Sequence, residues 1–516
     1  MANKEQFIDS IKKAYSLNEP HIYLGAGIVD GEVLSDAKIN LSLRMMNRHG
    51  LISGATGSGK TRTLQVIAEQ LSEAGVPVFL SDIKGDLSGL GKPGTTNPKL
   101  EERAKMLGME FKPTEFPVEM YSLSGKLGSP MRATVSEFGP ILLSKVFELN
   151  DTQQGVLNIL FKYCDDNGMP LVDLNDLKKV LNYLTEGPGA DEIKESYGKI
   201  SSSSSGTILR KIVALEQQGV AQIFGEKSFD IDDLFEKIDG KGVISLLNIS
   251  DMQANPVVFS TFMVSLLAEL YHTMPEAGDL EKPKLVFFLD EAHLLFKDAP
   301  KAFMEQIEQV IRLIRSKGIG VFFCTQQPTD IPETVLAQLG NRFQHVLRAF
   351  TPNDADNLAK VVKTYPKSDF YDINKTLTSL GIGQALITVL NEKGIPTEVA
   401  ATHLTPPRAL IGAMPESDYK TSIENSDLYK KYKDAIDPES AFEILEKRLK
   451  SKEAENNENK ESQKQHEPKA KNEKSMFEKV INAPIVKSIG TQLIRSTFSM
   501  LFGGRTSTTR KRNGFF

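Results

Sequence analysis

Short, unbroken apolar runs closed by glycines or charges recur along the chain, between stretches with apolar residues every three or four positions. The first pattern predicts strands buried on both faces of a parallel sheet, and the second predicts helices that cover it. Leu51-Ile52-Ser53, Pro77-Val78-Phe79-Leu80-Ser81-Asp82 and Leu285-Val286-Phe287-Phe288-Leu289 read as core strands. So do residues 242–248, 345–350 and 384–390. Gly320-Val321-Phe322-Phe323-Cys324-Thr325 is another, and it runs into Gln326-Gln327-Pro328. Leu64, Ile67, Ala68 and Leu71 share one face of a helix over 61–74. Further helices are expected over 153–163, 171–184, 208–218 and 259–271, with the serine run 201–205 a flexible or capping segment before the third of these. The fold class is α/β, a parallel sheet flanked by helices.

One loop carries chemistry. Leu51-Ile52-Ser53 leads into Gly54-Ala55-Thr56-Gly57-Ser58-Gly59-Lys60-Thr61 and then a helix. This is the G-x-x-x-x-G-K-[ST] phosphate-binding pattern in its confirming strand–loop–helix setting. Glycines let successive N–H groups turn inward onto phosphate oxygens, and the helix N-terminus adds partial positive charge. The nucleotide is expected on Thr56, Gly57, Ser58, Gly59, Lys60, Thr61 and the adjoining Arg62, with Lys60 on the β- and γ-phosphates of ATP and the Thr61 hydroxyl on Mg²⁺.

A second site element closes the strand at 285–289. Asp290 is placed to support the Mg²⁺ shell, and Glu291 is the natural general base for a hydrolytic water; a helix cap is the other use of such a pair. Gln326 is preferred over Gln327 as the side chain that orients water and reports the γ-phosphate, against a plain polar close to a strand. His293 could couple nucleotide state to a neighbour or simply pack.

The set GATGSGKT, DIKGD (82–86), FLDEAH (288–293) and CTQQP (324–328), in that order, resembles the HerA/FtsK group of P-loop motors. It is most similar to the bacterial HerA-like helicase C-terminal domain family, which includes YjgR-type proteins. Asn47-Arg48-His49-Gly50, Leu215-Glu216-Gln217-Gln218-Gly219, Phe224-Gly225-Glu226 and Gln338-Leu339-Gly340-Asn341-Arg342 also match, so the likeness covers about 18–410. The resemblance implies a RecA-like fold, a homo-hexameric ring, and an arginine acting on the neighbouring subunit's nucleotide. Arg315 stands where such proteins carry it, with Arg342 and Arg348 in reserve; a solvated helix end explains Arg315 equally well. It also implies a double-stranded DNA translocase or helicase, for which Lys297, Lys301, Lys360 and Lys363 are exposed candidates for phosphate contact. A nucleotide-switched assembly or adaptor ATPase acting through protein partners is the alternative.

Composition narrows the setting. The chain has 516 residues, a net charge of −5 and only two cysteines, Cys164 and Cys324, so neither a disulfide framework nor a zinc site is indicated. No run is long and apolar enough to span a bilayer and the first residues lack an apolar signal core, which points to the cytoplasm. The mild acidity gives no whole-chain sign of strong nucleic-acid binding.

The motif order divides the chain into a short β-rich segment (1–50), the ATPase core (51–100 with 240–405), a mostly helical insertion (101–239) and closing helices (406–450). Residues 451–475, rich in Lys, Glu, Asn and Gln, read as a solvated linker. Over 484–502, Ile485, Ile489, Leu493, Phe498 and Leu501 form an apolar stripe, ended by Gly503-Gly504 and followed by Arg505, Arg510, Lys511 and Arg512. Such a C-terminal helix and tail could pack on the protein, bind a protein partner, or touch an anionic membrane, the last being the weakest reading.

Overall fold

A computed structural model describes residues 4–463 apart from 298 and 300. Its strands are β1 (His21–Val29), β2 (Glu32–Ser42), β3 (Gly50–Ser53), β4 (Val78–Asp82), β5 (Val118–Ser122), β6 (Ser129–Pro130), β7 (Lys237–Ile238), β8 (Lys241–Gly242), β9 (Ile244–Asn248), β10 (Leu285–Leu289), β11 (Ile319–Thr325), β12 (Asn341–Gln344), β13 (Gln384–Thr388) and β14 (Ala400–Leu404). Twelve form one sheet in the order β2-β1-β14-β13-β12-β3-β11-β10-β4-β9-β5-β6. From β12 to β6 every neighbouring pair is parallel, and β13, β14, β1 and β2 extend that sheet antiparallel. β3, β4, β9, β10 and β11 are buried along nearly their whole length, as the apolar runs require of strands covered on both faces.

The helix Lys60–Glu73 buries Leu64, Ile67, Ala68 and Leu71 against this sheet. The helix Lys4–Tyr15 was not foreseen, although Phe7, Ile11 and Tyr15, one every four residues, are its buried face. The segment 1–50 is therefore no separate module: β1 and β2 belong to the main sheet through β14. The expected strand at 345–350 is displaced to β12; beyond Gln344 the His345 N–H still donates to the Ser53 carbonyl at 2.7 Å, and the Val346 carbonyl then accepts the Ala55 N–H of the loop at 2.9 Å.

The chain divides into two compact units. One comprises residues up to Arg132 and Lys227–Ala435, and holds the sheet. The other comprises Ala133–Glu226 and the described residues from Ile436. It is built of the helices Val135–Val146, Asp151–Asp166, Leu174–Thr185, Ala190–Ser196, Ser202–Gln217 and Ala441–Gln463, with Leu143, Leu157, Leu160, Leu177, Leu181, Ile208 and Leu445 buried among them. Ser201 caps the fifth of these helices through the Ser204 N–H, so the serine run is its first turn. The insertion thus begins at 133 rather than 101, since 101–132 supply β5 and β6 to the sheet. The last helix joins the helical unit, not the sheet: buried Asp176 accepts the Phe442 N–H at 2.8 Å. That helix also runs through 451–463, part of the expected linker, a segment with no Gly or Pro to stop it. The expected amphipathic stretch 484–502 and the basic tail lie outside the described residues. No described helix is long and apolar enough to cross a membrane.

Candidate functional site

Parallel strands put their C-terminal ends on one edge, where loops converge on a ligand. At that edge β3 opens into residues 54–59 and the helix Lys60–Glu73. Gly57 and Gly59 have φ of 76° and 111°, left-handed values that favour glycine. A Cβ at Gly54 would lie 2.4 Å from the Cβ of His345, so the close approach of the loop to β12 demands glycine there. Thr56 and Gly57 form the exposed tip; Ser58 is buried, and its Oγ has no hydrogen-bond partner. Thr61 is half-buried in the first helical turn. Lys60 Nζ turns back to donate to the carbonyls of Gly54 at 2.6 Å and Ala55 at 3.2 Å. Arg62 is held by Asp86 at 3.1 Å and Gln65 at 2.7 Å.

β10 ends at the same edge. Asp290 donates its N–H to Ser81 Oγ on β4 at 2.9 Å and accepts the Glu291 N–H at 2.9 Å. Burial, and then the Glu291 charge, push the Asp290 carboxyl up to about 6. Glu291 sits at φ 46°, a left-handed conformation that costs a non-glycine residue about 1–2 kcal/mol. Its Oε1 lies 3.8 Å from Lys84 Nζ, while Oε2 lies 3.5 Å from His293 Nδ1 without a hydrogen bond. The strained backbone turns the carboxylate toward Lys84 rather than into a cap. Burial weakens the proton affinity of Lys60, and the charges of Glu291 and Asp290 oppose that shift, so loop and acidic pair share one electrostatic environment.

β11 lies between β3 and β10. Its Thr325 hydroxyl donates to Asp330 at 2.7 Å, and Gln327 is engaged by Asp330 through its N–H and by Asn357 through its side chain. Gln326 remains exposed. Asp82, at the end of β4, spends its carboxylate on the N–H groups of Gly85, Asp86 and Leu87 and so shapes the turn that carries Lys84 and Asp86.

Sequence reasoning missed His345. It lies buried under the phosphate loop with Nε2 2.9 Å from Thr63 Oγ1, and burial holds its pKa at about 4. In the sequence it stood only as the first residue of an expected strand, and the structure instead places it just after β12.

Arg315 is not brought to this edge. It precedes β11, whose seven residues span roughly 20 Å, and so lies at the opposite edge of the sheet. Arg48, just before β3, is its neighbour there: burial first and Arg48 second lower the proton affinity of Arg315, with Asp279 opposing. Arg342 begins at that opposite edge too, on β12, whereas exposed Arg348 follows β12 on the loop side. Lys297, Lys301, Lys360 and Lys363 are all exposed.

The "DNA double-strand break repair helicase HerA" of Sulfolobus acidocaldarius is 23% identical over 393 residues, covering 70% of this chain and 66% of that protein. The protein of the same description from Sulfurisphaera tokodaii is 22% identical over 369 residues, 68% of this chain and 64% of its own. The chain thus matches slightly less than two thirds of each relative's length. Plasmid coupling protein TrwB, solved with a non-hydrolysable GTP analogue, superposes with a TM-score of 0.50 at 14% identity, covering 77% of this chain and 99% of that one. The family described as "Helicase HerA-like C-terminal" matches residues 29–510, and the chain belongs to it.

Proposed function

We propose that this protein is a Mg²⁺-dependent ATPase working as a ring-shaped DNA translocase or helicase. The observation that carries the reading is the meeting of Lys60 with Asp290 and Glu291 at one sheet edge, where Lys60 feels both carboxylates and Asp290 feels Glu291 and Lys60. The loop fits a triphosphate: it has glycines at left-handed φ, an unpartnered Ser58 Oγ and a lysine that donates to two loop carbonyls. The metal fits as well. Among the described residues no group of three or more His, Cys, Asp or Glu could hold an ion, so Thr61 and Asp290 would hold Mg²⁺ jointly with phosphate oxygens, the usual manner for this hard cation. When bound, Mg²⁺ supplies charge neutralisation for the phosphoryl group being transferred.

The chain's own residues divide the work. Lys60 leaves its carbonyls for phosphate oxygens. Glu291 takes the proton of the attacking water, and Gln326 orients that water. Arg315, with Arg48 beside it, lies about one strand length, roughly 20 Å, from its own phosphate loop, so its fork cannot reach its own nucleotide and would serve a site on another protomer, as in a ring. The relatives' description as DNA repair helicases supports duplex DNA as the track. The test is steady-state ATP hydrolysis with and without duplex DNA, single strands and RNA, alongside sizing in ATP. DNA-stimulated, salt-sensitive turnover by a ring is expected. Turnover indifferent to nucleic acid would replace the motor reading with the adaptor one.

A further inference from the structure

The sheet order, taken with the proposed roles of Glu291 and Gln326, sets which way a bound nucleotide would point. On the ATPase reading, its γ-phosphate end meets Glu291 and Gln326, which follow β10 and β11 on one side of β3. The base must therefore leave the loop on the other side, over β12 and β13. Because β13 runs antiparallel to β12, the residues preceding β13 lie at the phosphate edge. They touch the loop directly: Gly383 donates its N–H to the Ser58 carbonyl at 3.2 Å, and a Cβ at Gly59 would come within 3.1 Å of Gly383 N. In this short turn, Ile382 stands between Gly381 and Gly383 with 78% of its surface exposed. Its exposed aliphatic face stands directly beside the phosphate loop, so a ring leaving that loop on this side would cover it. Arg103 fixes the turn from behind, donating to the carbonyls of Gly383 and, at 2.8 Å, Leu404.

We infer that the turn 380–383 is the nucleobase seat of this site, with Ile382 packing on the face of the ring and Arg103 acting as the positioning residue. The inference rests on the ATPase reading above. Ile382 reads no hydrogen-bond pattern, so the seat takes purines with little discrimination between adenine and guanine.

The test is calorimetric titration of the full chain, in Mg²⁺, with ATP, GTP and inorganic tripolyphosphate. Wild type should bind ATP and GTP within about fivefold of each other, as a purely apolar contact dictates. Ile382→Ser should weaken both by about five- to tenfold through lost apolar contact, leave tripolyphosphate unchanged and melt as wild type does. Ile382→Leu should restore binding. Unchanged ATP affinity in Ile382→Ser, an equal loss for tripolyphosphate, or a strong preference for one base would each overturn the inference. Wild type binding neither ATP nor tripolyphosphate would instead bring down the ATPase reading itself, and this seat with it.

Discussion

Lys60 Nζ donates a 2.6 Å hydrogen bond to the Gly54 carbonyl, so the ammonium is folded onto its own loop. Nucleotide must compete with that contact and wins by offering charged acceptors. Lys60→Ala should weaken ATP by about ten- to a hundredfold, the value of a charge-assisted hydrogen bond. Fluorescence titration with a labelled ATP analogue measures it. Equal affinity in the variant would remove Lys60 from the phosphate site.

Glu291→Gln should keep ATP binding and lower turnover by about a hundred- to ten-thousandfold, the range for removing a general base. Its left-handed backbone tolerates glutamine as well as glutamate, so the fold should be unaffected. Normal hydrolysis in the variant would assign the proton to another group.

Arg315→Ala should bind ATP as wild type does but turn it over slowly. Mixed with a Lys60→Ala chain, it should recover part of the activity, because one protomer then supplies an intact arginine and the other an intact loop. Mixed rings that stay as inactive as either parent would sink the shared site.

Acid stability follows from His49. Its Nε2–H donates to the Ile311 carbonyl at 2.8 Å while Nδ1 accepts the Val321 N–H at 3.1 Å, a pairing only the neutral ring can make. Burial is the main reason its pKa falls from 6.5 to about 4. Unfolding therefore takes up a proton in this range. The stability is complete above pH about 6.5 and is lost as pH falls toward 4, by at most about 3 kcal/mol. Denaturant midpoints measured across that window should fall with acid, and His49→Gln should flatten the fall by one proton. An unchanged slope in the variant would show that His49 is not the group responsible.

Glycine spacing, a lysine with a hydroxyl, and a strand ending in Asp290-Glu291 are local signals, and the sheet brought them together as read. Arg48 and His345 were invisible for the opposite reason: each acts through a neighbour far along the chain, Arg315 in one case and Thr63 in the other. Domain limits failed similarly. Nothing in residues 118–130 announces that β5 will lie beside β9, well over a hundred residues later. The helix Lys4–Tyr15 was legible in Phe7, Ile11 and Tyr15, and was overlooked because its exposed face is strongly charged.

The pairing of Gly25 on β1 with Leu404 on β14 sets a schedule for biosynthesis. The early hairpin emerges from the ribosome about 380 residues before its partner, a wait of some 20–80 s at ordinary elongation rates. Throughout that interval the β1 edge offers unpaired backbone groups to any passing strand. Newly made chains should therefore lean on holding chaperones until residue 404 arrives and the sheet is sealed.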